Sequence, residues 1–147
     1  MKNENLEMEK AYLEYDLDYT PSEEEPYMNP KQVAYFKQKL LDWRDKLMEA
    51  SLETVLMLKN GIDRETDFLD IGTSETNTSL LLRNRDRDRK LIRKIDEALE
   101  RIRDGSYGYC EETGEEIGIK RLEARPIATL CLEAQEWHER EERMHRP

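Results

Sequence analysis

The side chains with the clearest metal-binding chemistry are the two cysteines of the chain, Cys110 and Cys131. The segments CEET and CLEA have the spacing of a four-cysteine zinc site, but Thr113 and Ala134 occupy the second position of each pair. A structural zinc site needs four thiolate or imidazole ligands, and neither of these residues supplies one. His138 follows seven residues after Cys131, a spacing that fits no familiar zinc pattern. We therefore expect the part of the chain that carries these positions to fold without metal, with the two cysteines buried side by side.

A second candidate group is the carboxylate pair Asp67 and Asp70, which flanks Phe68 and Leu69 in the polar segment 62–79. Acid–base catalysis needs positioned groups in a pocket, and the sequence supplies neither a nucleophile nor a general base beside this pair. We expect no enzymatic activity. Apolar residues at the apex of a loop either cover the end of a hairpin or form a contact surface for a partner.

Basic residues form a third candidate surface, which we call the basic stripe. It consists of Arg83, Arg85, Arg87, Arg89, Lys90, Arg93 and Lys94. The whole chain carries a formal net charge of −10 with a pI near 4.8, which disfavours general DNA binding because DNA phosphates would repel it. The basic stripe is suited to a nucleotide or an acidic protein surface. The alternative is a solvated face with i,i+4 pairs such as Asp86–Lys90.

The first long helix has a clear predicted start. Asn29 is a good N-cap, Pro30 suits the first helical position, Gln32 can complete a capping box, and Met28 and Val33 are placed as a hydrophobic staple. Apolar positions then recur in steps of three and four, which predicts a heptad seam. The seam residues are Val33, Phe36, Leu40, Trp43, Leu47, Ala50, Thr54 and Met57, and Gly61 is predicted to end the helix.

A second long helix is predicted from the amphipathic spacing of Leu91, Ile95, Ala98 and Ile102. Extending this seam backwards places Asp88 and Asn84 where apolar residues would be expected. Serine and threonine residues before position 80 are suited to capping this helix, and Gly105 is suited to ending it. Two long helices joined by one polar loop pack as an antiparallel hairpin, so that each buries the seam of the other.

The remaining sequence predicts a small module. Alternation and paired glycines in residues 107–119 favour a short β-hairpin, and a final helix is predicted from about residue 129 to 144. The predicted fold is therefore mainly α: a long antiparallel coiled-coil hairpin with a small α+β zinc-finger-like base module and a C-terminal helix. The predicted divisions are an acidic arm with a linker (1–28), the hairpin (29–104) with an acidic tip at about 61–79, and the module (105–147).

Composition narrows the class of protein. Hydrophobic residues make up 37% and charged residues 39% of the chain, which favours long helices with a narrow apolar stripe over a large globular core. No run approaches the roughly 18 to 20 apolar residues of a membrane span, and the first residues lack the apolar core of a signal peptide. We expect a soluble cytoplasmic protein, in which a permanent disulfide between the cysteines is not favoured.

Three runs carry a resemblance to a known family: LRNRDRDRKLIRKIDEALERI, GYCEETGEEIGIKRLEARP and TLCLEA. Together with the hairpin before them, they closely resemble the DksA branch of the DksA/TraR family, bacterial factors that bind RNA polymerase rather than DNA. The similarity covers about residues 28–137. The resemblance implies a coiled coil inserted into the secondary channel of polymerase, a base outside it, and destabilisation of open complexes together with ppGpp.

The resemblance also implies site residues. The tip signature of the family, Asp-x-x-Asp-x-Ala, falls on Asp67, Asp70 and Gly72, with glycine in place of alanine. The part of the helix expected to meet the channel rim carries Arg83, Asn84 and Arg87, together with the polar seam position Asp88. Cysteine-poor members of the family keep their fold without metal, which agrees with the residues at the four vestigial zinc positions, Cys110, Thr113, Cys131 and Ala134.

The ppGpp contacts implied by the resemblance fall on Lys94 and Arg125, and a third basic position of the family carries Gln135. A weakened response to ppGpp is therefore expected. We expect a monomer with RNA polymerase and ppGpp as partners. Two alternatives stay open at this stage: a structural coiled-coil adaptor or homodimer, and a polymerase factor of the transcript-cleavage type.

Overall fold

The computed structural model describes residues 18–63 and 71–145, with side-chain surroundings given for residues 18–60 and 76–145. Four helices occur in these ranges: α1 (Pro30–Asp63), α2 (Ile71–Asp104), α3 (Ile119–Ala124) and α4 (Leu132–Met144). In the ranges searched, no helix has the length and apolar character needed to cross a membrane. Contacts divide the chain into a terminal unit, Met1–Leu40 with Glu97–Pro147, and a central unit, Leu41–Asp96. The fold class is mainly α, as predicted.

The start of α1 confirms the predicted N-cap and adds an ordered segment before it. Asn29 Oδ1 accepts hydrogen bonds from the backbone N–H groups of Lys31 and Gln32, both at 3.0 Å. Gln32 Oε1 accepts the Met28 N–H at 2.8 Å, one residue earlier than in a capping box. The amide of the buried Gln32 also donates to Ser22 O at 3.0 Å. Every polar atom of this glutamine is therefore engaged by the segment before the helix.

Residues 18–29, which we call the N-terminal strap, fold against the start of α1. The Tyr19 hydroxyl donates to Glu25 Oε2 at 2.5 Å, and Lys31 Nζ lies 4.5 Å from the centre of the Tyr19 ring. The hydrogen bond from Tyr19 is the largest cause of the lowered pKa of Glu25. The prediction of a linker at this point is therefore wrong, because the strap is held by side-chain contacts. Residues 1–17 of the predicted acidic arm lie outside the described residues.

The seam of α2 follows the prediction. Ile95, Ala98 and Ile102 are buried, Leu91 and Asn84 are half-buried, and Asp88 is only 7% exposed. Within the central unit, Arg44 Nε lies 2.9 Å from Asp96 Oδ1. Arg44 is near the first α1 residue of this unit, and Asp96 is its last α2 residue. This pairing is the one expected of antiparallel helices.

The seam of α1 follows the predicted positions through Leu47 and then changes phase. Ala50 and Met57 are exposed, whereas Ser51 and Leu58 are half-buried. An α-helix has 3.6 residues per turn, so a strict heptad pattern drifts around it, and one additional four-residue step restores the inward face. The predicted burial of Ala50 and Met57 is therefore wrong.

The ends of the two long helices also differ from the prediction. Gly61 does not end α1, which continues to Asp63, and α2 begins at Ile71 rather than near residue 80. One glycine costs a helix about 1 kcal/mol, which is too little to stop a long helix that has a packing partner. Residues 62–63 and 71–79 of the predicted loop are helical, and residues 64–70 lie outside the described residues.

The module after α2 contains less β structure and more helix than predicted. The predicted β-hairpin is a single antiparallel bridge between Tyr109 and Glu116 in the described part of the chain. The sequence prediction missed α3, a six-residue helix that buries Ile119 and Leu122. The final helix α4 confirms the predicted C-terminal helix and begins three residues later than expected.

Candidate functional site

The four vestigial zinc positions lie in the terminal unit on two segments, 110–113 and 131–134. Cys110 and Cys131 are 3% and 6% exposed and carry free thiols. Thr113 Oγ1 lies 3.7 Å from Cys131 Sγ, and Ala134 is buried. The structure therefore confirms that the cysteines are buried, and it places the Thr113 hydroxyl against the second thiol.

Hydrogen bonds favour the thiolate form of Cys110. Burial raises its pKa, but the Thr113 hydroxyl and the backbone N–H groups of Cys131, Thr113 and Glu112 donate towards the sulfur, and the net effect is a lowered pKa. Hydrogen bonds to the charged form stabilise it. These donors come from both segments that carry the vestigial zinc positions.

The side chains around the two cysteines do not fit a zinc ion. Thr113 offers only a hydroxyl, and Ala134 offers no donor atom. His138 Nε2 is hydrogen-bonded to Glu112 Oε1. Throughout the described part of the chain, no group of three or more His, Cys, Asp or Glu side chains is arranged to hold a metal. Two thiolates fall short of the four ligands of a structural zinc site.

The purified protein is expected to contain far less than one zinc ion per chain, and a chelator should leave its melting temperature unchanged. Structural zinc contributes its binding free energy to folding, so its removal would lower the stability. Elemental analysis and thermal unfolding with and without EDTA measure both quantities. The double variant Thr113→Cys/Ala134→Cys is the control and should become sensitive to EDTA. Close to one zinc ion per wild-type chain would contradict the expectation.

A short loop carries the first vestigial pair, and we call residues 108–118 the knuckle loop. The Cys110 N–H donates to Glu115 O at 2.7 Å, and the Ile117 N–H donates to Gly108 O at 2.8 Å. The Glu111 N–H donates to Thr129 O at 2.9 Å, which joins the loop to the segment before α4. These backbone bonds close the loop on itself and attach it to the segment before α4.

One hydroxyl of the strap forms two hydrogen bonds to the knuckle loop. Tyr27 Oη donates to Gly108 O at 2.6 Å and accepts the Gly118 N–H at 3.0 Å. Burial raises the pKa of Tyr27 above its ordinary value, although backbone N–H groups that donate to its oxygen oppose the rise. A raised pKa keeps the proton that the bond to Gly108 requires. The sequence alone did not indicate a role for Tyr27, because its partners lie 81 and 91 residues away.

An ion pair joins α1 to α3 within the terminal unit. Lys39 Nζ lies 2.6 Å from Glu123 Oε2 and 3.0 Å from Glu123 O. Both side chains are about one-third exposed, so solvent screens the pair and its main contribution is to orientation. On the buried side of the same module, Tyr107 Oη donates to Pro126 O at 2.8 Å. These contacts fix the segment that carries Arg125.

The predicted ppGpp residues are distributed over the two units. Arg125 follows α3 and Gln135 lies on α4, both in the terminal unit, whereas Lys94 lies on α2 in the central unit. Arg125 and Lys94 are exposed. Gln135 is half-buried, and its amide donates to Glu139 Oε1 at 3.2 Å. Two cationic groups are thus available to an anionic ligand, and a common site for the three residues stays a prediction.

The predicted channel-rim residues all lie on α2 in the central unit. Arg83 and Arg87 are exposed, and Asn84 is half-buried in the seam. Asp67 and Asp70 lie outside the described residues, and Gly72 lies in the first turn of α2 rather than in a loop. The sequence analysis also missed the exposed apolar residues Met48, Leu52 and Leu56, which share one face of α1 because they are four residues apart.

Two family models match the chain in succession: the N-terminal domain of the DnaK suppressor protein DksA over residues 32–102, and the prokaryotic dksA/traR C4-type zinc finger over residues 105–140. An RNA polymerase-binding transcription factor DksA from Caulobacter vibrioides (strain NA1000 / CB15N) is 60% identical over 129 residues, which cover 88% of this chain and 91% of that protein. The chain belongs to the DksA branch of the DksA/TraR family.

Other members of the DksA family support the same assignment. The RNA polymerase-binding transcription factor DksA of Escherichia coli (strain K12) is 45% identical over 116 residues, covering 77% of each chain. The solved structure of transcription factor DksA2 from Pseudomonas aeruginosa aligns with a TM-score of 0.75 at 39% identity, over 93% of this chain and 98% of that one. The zinc-finger model of the family is built on four cysteines, of which this chain has two.

Proposed function

We propose that this protein is a transcription regulator that binds RNA polymerase directly through its secondary channel. It modulates open-complex stability and initiation together with ppGpp, without binding DNA. The observation that carries the proposal is the 60% identity, over 88% of the chain, to a protein named as an RNA polymerase-binding transcription factor. In this proposal the hairpin of residues 29–104 enters the channel with Asp67 and Asp70 in its tip, and residues 105–147 form the base.

Charge supports a protein surface as the partner. The net charge of −10 disfavours DNA, whereas the exposed Arg83 and Arg87 offer cations on one helix. The Arg87 side chain is 72% exposed and lies 3.9 Å from the carboxylate of Asp88. Exposed guanidinium groups of this kind can form bidentate pairs with carboxylates of a partner.

Co-purification with core RNA polymerase tests the proposal directly. The tagged protein should retain the polymerase core, with and without ppGpp, and should not retain DNA fragments. The charge-reversed variant Arg83→Glu/Arg87→Glu should lose binding, whereas Lys59→Glu, at an exposed position of α1 in the same unit, is the matched control. Failure of the wild-type protein to retain polymerase would overturn the proposal.

The proposed regulator acts as a cytoplasmic monomer and has no catalytic activity of its own. Light scattering should give the mass of one chain, 17.6 kDa. A dimer would favour the structural adaptor instead. A cleavage assay on stalled polymerase should show no shortening of the transcript above the rate of polymerase alone, which separates this regulator from a transcript-cleavage factor.

The proposed ppGpp site gives a quantitative expectation for Arg125. Hydrogen bonds to charged groups contribute about 1.5–3 kcal/mol each, so Arg125→Ala should weaken the apparent affinity for ppGpp roughly tenfold or more. Gln135→Lys should strengthen the response, because it restores a cation at the third position. A titration of ppGpp against open-complex lifetime measures both effects.

Lys120→Ala is the matched control for that titration, because Lys120 is another exposed cation on the same short segment. Its titration curve should coincide with that of the wild type, and all variants should bind polymerase equally in the absence of ppGpp. Coincident curves for Arg125→Ala and the wild type would show that Arg125 does not contact the alarmone.

A further inference from the structure

Two groups of contacts hold the knuckle loop, and only one of them involves the side of the loop that carries the vestigial zinc positions. On that side, Thr113 Oγ1 lies 3.7 Å from Cys131 Sγ, and the Glu111 N–H is bonded to Thr129 O. A metal ion with four cysteines would fasten this side covalently. With threonine and alanine in two of the positions, the polar contacts on this side are hydrogen bonds, including the one between His138 and Glu112.

The other group of contacts comes from the N-terminal strap. The Tyr27 hydroxyl bonds to Gly108 at the first end of the loop and to Gly118 at its last end. One oxygen atom therefore bridges the two points where the chain enters and leaves the loop. The half-buried Tyr27 ring also packs edge-to-face against Tyr109, with ring centres 5.6 Å apart. Both ends of the loop would lose a polar partner if the hydroxyl were removed.

The backbone of the loop is shaped to receive this hydroxyl. Gly108 has φ of +91°, a conformation that residues with a side chain rarely adopt. A Cβ atom at this position would lie 2.9 Å from Met28 Cγ and 3.1 Å from the Tyr27 hydroxyl oxygen. The absence of a side chain at position 108 is what allows the strap to reach the carbonyl group.

We propose that the Tyr27 hydroxyl is the fastening that keeps the knuckle loop closed without a metal ion. In this role it ties together the two ends of the loop through Gly108 and Gly118, without a contact to the vestigial ligands. The role is independent of polymerase binding and concerns the local opening of the loop. Opening exposes Cys110, and the chain has no cysteine outside the terminal unit. Thiol labelling therefore reports on the terminal unit, which contains both cysteines.

The test is the labelling rate of the two thiols in native full-length protein by an aromatic disulfide reagent. Buried groups react through local opening, so the rate follows the opening equilibrium. Tyr27→Phe removes one hydroxyl and keeps the ring, and it should accelerate labelling about tenfold or more. Tyr19→Phe is the matched control, because that hydroxyl bonds Glu25 within the strap and does not touch the loop. Its labelling rate should stay within about threefold of the wild type.

A second measurement separates loop closure from general stabilisation. Amide exchange at Cys110 and Ile117 reports on the two bonds inside the loop, and Tyr27→Phe should accelerate it by a similar factor. In the zinc-loaded Thr113→Cys/Ala134→Cys background, the same substitution should change exchange far less, because the metal then holds the loop. Equal acceleration in both backgrounds, or unchanged labelling of Tyr27→Phe in the wild-type background, would overturn the proposal.

Discussion

Replacing Asp70 by Asn is expected to abolish the destabilisation of open complexes while leaving polymerase binding intact. The change removes a negative charge and keeps the size of the side chain. Residues 64–70 lie between the end of α1 and the start of α2, so the substitution alters neither seam. The lifetime of open complexes at a ribosomal RNA promoter measures the effect, and co-purification measures binding. The charge-assisted contacts of one carboxylate correspond to roughly a tenfold change or more.

Asp67→Asn is expected to give the same separation of binding from activity, since both carboxylates belong to the proposed tip. Glu53→Gln provides the control, because Glu53 is an exposed carboxylate of α1 in the same unit and lies outside the proposed tip. This control should act like the wild-type protein. An Asp70→Asn variant that shortens open-complex lifetime as the wild type does would show that the tip is not the effector.

Asp88→Leu is expected to raise the free energy of unfolding by about 1–3 kcal/mol. The Asp88 carboxylate is almost completely buried between seam positions that are otherwise largely apolar. The neighbouring cation of Arg87 lies 3.9 Å away on a largely exposed side chain, which offsets little of the cost of burying a charge. Denaturant unfolding followed by circular dichroism measures the difference.

Two further substitutions on α2 serve as controls for the stability change of Asp88→Leu. Ile95→Ala removes a fully buried side chain of the same seam and should lower the stability by about 2–5 kcal/mol. Asp86→Leu places the same new side chain on the exposed face and should change the stability by less than about 0.5 kcal/mol. Destabilisation by Asp88→Leu would mean that the buried carboxylate contributes to folding through a partner that leucine cannot replace.

Features set by local periodicity could be predicted from the sequence. The N-cap at Asn29 depends on residues three positions away, and the α2 seam repeats at a spacing that any helix obeys. The same periodicity predicted a polar residue inside the seam, and Asp88 is indeed buried there. The burial of both cysteines could be predicted as well, because the two segments that carry them retain the spacing of a zinc site.

Features set by contacts between distant segments could not be predicted in this way. The Lys39–Glu123 pair spans 84 residues, and the two bonds from the strap to the knuckle loop span 81 and 91 residues. Neither contact leaves a local pattern. Helix ends were missed for a different reason, since a single glycine shifts the helix–coil balance by less than the packing of the neighbouring turns.

At the vestigial zinc positions, the chemistry of the residues argues against a metal ion. Thr113 and Ala134 cannot complete a zinc site, and the structure shows Thr113 in contact with a thiol and Ala134 buried on α4. The predicted ppGpp residues belong to elements of both units, so their combination depends on tertiary geometry that residue types do not encode. The family resemblance identified Lys94 and Arg125 as candidates, and residue types alone could not show whether the two meet in one site.

The close approach of Met28 and Tyr27 to Gly108 constrains how sequences of this family can diverge. A side chain at position 108 would need both a different backbone conformation and the space that the strap occupies. A side chain at position 108 alone would clash with the strap, and loss of Tyr27 or Met28 alone would remove contacts to the loop. Substitutions at positions 27, 28 and 108 are therefore expected to covary among homologues. An alignment should therefore show glycine at position 108 in sequences that have a tyrosine at 27 and a long side chain at 28. In the other sequences, all three positions should vary.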